Sequence, residues 1–204
     1  MSVATLQARA VPLPGERLVF VGGLHRSGTT PLARWLAESP HVSGLSGTGV
    51  PEDEGQHLQH VLPPAIAHGG PGRFAFARAM HETERSPRAS RALAIQISRS
   101  WAPYWDLERP LLLEKSPPNL VRTRLLQALF PGAAFVVVVR HPVAVALATE
   151  KWLGAPSRWV SAPSLLRHWL RAHELFLSDA ARLQRVLVVR YEELCAAPAQ
   201  VLGR

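Results

Sequence analysis

One cysteine in 204 residues excludes an internal disulfide framework. That residue, Cys195, sits in a helical-looking stretch, YEELCAAP, without metal-ligand spacing around it, and reads as a packed thiol. No apolar run approaches bilayer-spanning length, so no membrane span is expected. Residues 1–16 lack the basic start and apolar core of a signal peptide, which makes the cytoplasm the expected location. Lysine is nearly missing: Lys115 and Lys151 stand against a Lys plus Arg total of 23. The net charge of +8 therefore rests on arginines scattered along predicted helices. They form no basic run and do not interleave with aromatics, which argues against a nucleic-acid partner. His57, His60 and His68 lack compact H-x-x-x-H spacing with a carboxylate, so no metal is expected. With 47% hydrophobic and 19% charged residues the chain reads as soluble and globular, long enough for one domain with a proper core.

What is present is concentrated in RLVFVGGLHRSGTT, residues 17–30. An apolar β-type run, Leu18 to Val21, enters Gly22 and Gly23; a short polar loop follows, and Thr29 and Thr30 open an amphipathic helix. Glycines let the backbone approach a ligand, and the first free N–H groups of a helix point at an anion. The spacing from Gly23 to Gly28 is that of the nucleotide-binding P-loop, G-x-x-x-x-G-K-[ST], but Thr29 stands where the lysine belongs and the nearest cation is Arg26. The strongest second strand, Phe135 to Val139, ends in Arg140, where a Mg²⁺-using ATPase places a carboxylate. An arginine at a strand tip meets an anion and cannot ligate a metal. Both departures point to a phosphorylated ligand bound without a catalytic metal, and both count against the rival reading, a P-loop small-molecule kinase.

Four strands are predicted: Leu18–Gly22, Leu111–Leu113, Ala134–Val139 and Arg185–Val189. Helices are predicted over Thr29–Glu38, Phe74–Met80, Ser86–Tyr104 (Ser86 as cap, Pro87 in the first turn), Asn119–Phe130, Pro142–Trp152 and Ala162–Leu183 (Ser161 as cap). Residues 41–72 read as loop with short helical turns. Alternating strands and helices imply an α/β fold, a parallel sheet flanked by helices on both faces. Ligands bind such sheets at the carboxyl ends of the strands, which gathers Gly23–Thr30, Lys115, Arg140 and Tyr191 on one edge. The expected organisation is a loose leader, 1–16, and one domain, 17–204, with a further helix starting where the chain stops, as in a truncated domain. Trp101 and Trp105, one helical turn apart, read as a core stripe.

Three segments together resemble the sulfotransferase family, which uses 3′-phosphoadenosine 5′-phosphosulfate (PAPS). LHRSGTT resembles its 5′-phosphosulfate loop, in the arginine-containing form of tyrosylprotein sulfotransferases and many bacterial members. FPGAAFVVVVRHPVAVALA resembles the 3′-phosphate motif, and VLVVRYEELCAAP the later strand followed by Tyr-Glu-Asp-Leu and a proline. The resemblance implies a P-loop-like fold and transfer of a sulfuryl group from PAPS to a hydroxyl or amine, releasing adenosine 3′,5′-bisphosphate. It implies that Arg26, with the N–H groups of Ser27, Gly28, Thr29 and Thr30, holds the 5′-phosphosulfate. Arg140 then binds the 3′-phosphate, Tyr191 lies against the adenine, and Lys115 serves the sulfuryl group. Blander readings stand beside these: Arg140 in a structural ion pair, Lys115 beside Glu114, Tyr191 filling the core, His141 as a helix cap. His25 either faces the phosphosulfate or packs. The chain departs from the motif eight residues after Arg140, where the family usually has serine and this chain has Ala148; Thr149 is adjacent, but one residue turns a helical side chain by about 100°.

Sulfuryl transfer to a hydroxyl needs a base near the acceptor oxygen. The candidates cluster in GVPEDEGQH, and Glu54 comes first because Glu-Gly-Gln fits the family's acidic-base pattern, followed by His57 and then Glu52. Adjacent carboxylates also raise one another's pKa. Sugars, lipids, phenols and peptide tyrosines all remain open as acceptors, as does the oligomeric state. A non-catalytic, nucleotide-binding remnant of the fold is the reading from a different class.

Overall fold

A computed structural model describes residues 12–154 and 160–203. Five strands form one parallel sheet in the order β2-β3-β1-β4-β5: β1 Leu18–Gly23, β2 Val42–Gly44, β3 Leu111–Lys115, β4 Ala134–Val139 and β5 Val186–Arg190. The helices are α1 Thr29–Ala37, α2 Arg91–Trp101, α3 Thr123–Leu129, α4 Pro142–Leu153, α5 Ala162–Ala180, α6 Tyr191–Ala196 and α7 Pro198–Leu202.

Period-two alternation sends neighbouring strand residues to opposite faces. Phe20, Leu112 and Phe135 pack under α2 and α3 with Trp101 and Trp105, whose rings meet edge to face at 5.8 Å. Val21, Leu113, Val138 and Val189 pack on the other face under α1, α6 and α7. A third cluster, with Leu24, Phe74, Val137 and Phe176, lies under α5 and Val145 of α4. The two tryptophans are thus core residues, as their spacing predicts.

Several elements differ from the sequence reading. β2 falls in the segment read as loop: Val-Ser-Gly has no apolar run, and it forms because β3 offers a partner, Ser43 opposite Leu112. β3 runs two residues further than predicted, because pairing with Phe20 and Val21 of β1 draws the charged Glu114 and Lys115 into the ladder. The predicted helix over 74–80 is two single 3₁₀ turns, Phe74–Phe76 and Arg78–Met80. α2 starts after Ser90, whose Oγ accepts from the Leu93 N–H, rather than after Ser86. The helix predicted from Asn119 is a 3₁₀ turn, Pro117–Val121, followed by α3. Ser161 precedes α5 without a side-chain cap bond. Cys195 is exposed rather than packed, since it lies on the outer side of α6. Residues 1–11 of the expected leader lie outside the described residues, whereas Leu13 is buried and its N–H donates to Ser98 Oγ.

Candidate functional site

The end of β1 is made for close approach. A Cβ at Gly22 would meet the Leu120 backbone N, and one at Gly23 (φ 155°) would meet Val138 O and Ser27 Oγ, so both positions require glycine. The Ser27 N–H turns back to Leu24 O, and Gly28 precedes α1 with φ 99°. Arg26 is itself in the left-handed region at φ 66°. Three non-glycine residues adopt positive φ among the described residues, Arg26, Glu52 and Asp53, and all belong to the two segments predicted to do the chemistry. Backbone strain of this kind concentrates at functional sites. The side chains of Ser27 and Thr29 are buried, and Ser27 Oγ makes no hydrogen bond, so the loop presents its backbone, Arg26 and Thr30 to the cleft.

The neighbouring strand ends deliver Arg140 and Tyr191. Arg140 Nη1 donates to Arg26 O at 2.8 Å, and its guanidinium carbon lies 4.3 Å from the centre of the Tyr191 ring. The Cδ2–Cε2 edge of that ring lies against Gly28, where a Cβ would run into it. Tyr191 therefore touches the loop and Arg140 while its partly buried side chain also packs against the core cluster of Val138, Val189 and Leu194. A hydrogen bond with Cys195, then partial burial, raises its phenol pKa. The Arg26 guanidinium lies 5.7 Å from the Trp152 ring. Both cations are thus held by a carbonyl or an aromatic face, which leaves their charge available to an anion.

His141 does not cap α4 with its side chain; its backbone N–H donates to Glu192 Oε1 at 2.9 Å. Thr149 is 3% exposed and faces His25, Leu165 and His168, so it does not take the place of a serine beside Arg140. His25 both packs and borders the cleft. Burial, with the nearby charges of Lys115 and His57, pushes its pKa down to about 3, so the ring is neutral, and its Nδ1 has no hydrogen-bond partner.

The acidic cluster is pulled apart. Asp53 accepts from the Thr48 N–H and Oγ1–H. Glu52 turns outward to Arg34 at 3.7 Å. Glu54 alone turns inward: Oε1 accepts from Lys115 Nζ at 2.8 Å, Oε2 accepts from Gln56 Nε2, and His57 Nε2 lies 3.7 Å away. Glu54 and Lys115 are both buried. Lys115 is therefore the partner of Glu54 rather than of Glu114.

One cleft of about 280 Å³ brings these groups together. Arg26, Gly28, Thr29, Thr30, Glu54, Arg140 and Tyr191 line it directly; Ser27 is buried in the loop, and Lys115, which lines an adjoining cavity of about 80 Å³, reaches the cleft through its bond to Glu54. Two residues escaped the sequence reading. Trp152, half exposed at the end of α4, lines the cleft against Arg26 and His25; a lone tryptophan in an apolar helix gives no signal of that. Glu114, 1% exposed, touches the segment that carries Glu54, and only strand pairing brings it there. Among the described residues no three His, Cys, Asp or Glu side chains are grouped to hold a metal ion, and no helix is long and apolar enough to cross a membrane.

A family model described as "Sulfotransferase family" matches residues 19–204. Among solved structures, the chain is similar to a sulfotransferase from Alicyclobacillus acidocaldarius (17% identity, 94% of this chain, 78% of that one, TM-score 0.57). It is similar to a sulfotransferase from Mycobacterium tuberculosis H37Rv (17%, 98% and 68%, TM-score 0.60). It is also similar to the sulfotransferase domain of the Synechococcus PCC 7002 olefin synthase (24%, 93% and 71%, TM-score 0.55). No curated protein sequence matches.

Proposed function

We propose, starting from the fact that the chain belongs to the sulfotransferase family and is a transferase of sulfuryl groups, that its donor is PAPS and that the cleft divides the work between two sets of residues. Arg26 and the N–H groups of Ser27, Gly28, Thr29 and Thr30 take the 5′-phosphosulfate. Arg140 takes the 3′-phosphate and Tyr191 lies against the adenine. The observation that carries this reading is the pair of cations, Arg26 and Arg140, linked by one hydrogen bond at the rim of a glycine-built loop. A doubly phosphorylated ligand fits that arrangement, because charge-assisted contacts at each end fix its register. No carboxylate stands at the end of β4, where a Mg²⁺-using kinase would need one.

In the transfer step the acceptor oxygen attacks sulfur and gives its proton to Glu54. The bond from sulfur to the bridging phosphate oxygen breaks, and adenosine 3′,5′-bisphosphate departs. Negative charge grows on that bridging oxygen, where the loop N–H groups, Arg26 and Lys115 stabilise it. In the resting protein Lys115 is paired with Glu54. The sulfuryl group competes for the ammonium when the donor binds, which frees the carboxylate to act as base. The acceptor is a small molecule, glycan, lipid or peptide bearing a hydroxyl.

Two measurements test this. Calorimetry with adenosine 3′,5′-bisphosphate in EDTA should show one site per chain; absent binding, or binding of ATP only with Mg²⁺, overturns the donor assignment. A transfer screen with ³⁵S-labelled PAPS against sugars, lipids, phenols and tyrosyl peptides should label one class. Nucleotide binding without transfer to any of them would favour the non-catalytic reading.

A further inference from the structure

The segment that carries Glu54 has little regular structure of its own: two single 3₁₀ turns, Pro51–Asp53 and Gly55–His57, flank it. Its placement comes from ties to the core. The Gly55 N–H donates to Glu114 Oε1 at 3.0 Å, Trp101 Nε1 donates to Gly55 O at 2.9 Å, and the Gln56 N–H donates to Ser116 Oγ at 3.0 Å. Glu114 is the hub. Its Oε1 also accepts from the Ser116 hydroxyl, and its Oε2 accepts from Asn119 Nδ2 at 2.6 Å. The same Asn119 amide donates to Val21 O, at the end of the phosphate-loop strand. Every polar group that hydrogen-bonds to this carboxylate is a donor, which suits an acceptor-only group; an amide there would set N–H against N–H. The packing leaves no slack, because a Cβ at Gly55 would fall 2.6 Å from Glu114 Oε1 and 2.8 Å from Trp101 Nε1.

We propose that Glu114 is a positioning residue for sulfuryl transfer: it ties the Glu54 turn to the end of β3, so that Glu54, in the wall of the cleft, meets the buried Lys115. This rests on the reading of Glu54 as base. Burial pushes the Glu114 carboxyl up to about 7, with the Glu54 charge adding to the rise and Ser116, Asn119 and Lys115 opposing it. The charged groups around it are Glu54, Lys115 and, from the following turn, Arg122. Glu114 has no opening to the cleft and acts through Glu54.

The test uses Glu114→Gln and, from the other side of the same contact, Gly55→Ala. With an acceptor found in the transfer screen, kcat should fall about 10–100-fold, as for a group displaced by an ångström, with donor KM and adenosine 3′,5′-bisphosphate affinity within about 3-fold. A second readout needs no acceptor. Lys115 and Lys151 are the two lysines of the chain, the first buried and the second exposed. Amine acetylation followed by peptide mass spectrometry should show Lys115 protected in the parent and reacting at a rate approaching that of Lys151 in either variant. The double variant Glu54→Gln/Glu114→Gln should be no slower than Glu54→Gln alone, because residues acting through one another are not additive. Additive losses, a protected Lys115 with unchanged kcat, or parallel loss of nucleotide binding would each overturn the proposal. If Glu54→Gln alone is fully active, the base reading has failed, and Lys115 labelling still decides whether Glu114 positions the turn.

Discussion

The two halves of the cleft, one proposed to hold the donor and the other proposed to carry out the transfer, are built on opposite plans. The donor half lies over the ends of β1, β4 and β5 and consists of backbone and arginines near the surface. The transfer half lies over the end of β3 and consists of a buried ion pair held by a network that reaches into the core. The contrast follows from what each half has to do. A multiply charged nucleotide needs positive charge it can reach and leave, and arginine at the rim supplies that with little desolvation. A proton transfer needs a carboxylate fixed to within a fraction of an ångström in a dry place, and only packed side chains give that.

The largest effect expected from breaking this contrast falls in the transfer half. Glu54→Gln should lower kcat by about 10²–10⁴-fold, the usual contribution of a positioned base, while adenosine 3′,5′-bisphosphate binds as before; steady-state rates and calorimetry on one preparation read both. Donor-half changes should invert the pattern. Arg140→Ala removes a charge-assisted contact worth roughly 1.5–3 kcal/mol, a loss of about 10–150-fold in bisphosphate affinity. Arg26→Gly should weaken binding similarly yet melt no lower than the parent, because glycine relieves the φ of 66°. A lower melting temperature would mean that the Arg26 side chain, through Trp152, is chiefly a packing element.

The same contrast explains what the sequence could reveal. The donor half is written in contiguous residues: a glycine elbow, a strand ending in Arg140 and a strand ending before Tyr191 each carry their own local signal. The transfer half is written across distance. Glu54 and Lys115 are 61 residues apart, and the ammonium finds the carboxylate only because β2, which leads into the Glu54 turn, pairs with β3 and the turn is tied to the end of β3. The composition of PEDEG suggests a base without saying which acid turns inward; Asp53 is taken up by Thr48 and Glu52 by Arg34, leaving Glu54. Glu114 could not be found at all, since a charged residue in an apolar strand looks like the strand's end. The short strand β2 was missed for a related reason, because tertiary pairing rather than propensity forms it.

A smaller effect is expected beneath the donor half, in the dependence of stability on pH. Burial pushes His168 down to about 3, and its Nε2 accepts from the Ala75 N–H, so the fold holds it neutral. The unfolded chain takes up a proton below about 6.5 and the folded one does not. Stability is therefore lost as pH falls from about 6.5 toward 3. His25, lowered for the same main reason, adds to this loss. Glu114 acts with opposite sign: its raised pKa favours the fold below 4.5, and that share is lost as pH rises through about 7. Thermal melts of His168→Gln and Glu114→Gln across pH 4.5–7.5 should separate the two trends, the first flattening the acid limb and the second the neutral one. Matching slopes in parent and variants would show that the groups titrate alike folded and unfolded.

The smallest effect belongs to the rim between the halves. Arg34 and Glu52 approach to 3.7 Å with side chains 75% and 54% exposed. Water screens such a pair, and ordering two long side chains offsets most of the attraction, so Arg34→Ala should change stability by no more than about 0.5 kcal/mol. Glu52 also borders the cleft, in a strained backbone conformation two residues before Glu54. If the ion pair held that strain in place, losing it would release the turn and lower kcat. The turn is instead tied from inside, through Gly55 and Gln56, so kcat should stay within about 2-fold in Arg34→Ala, far short of the 10²-fold that displacement of a reacting group costs. A larger fall would move control of the base from the buried network to the surface, and the division between an exposed donor half and an internally held transfer half would no longer stand.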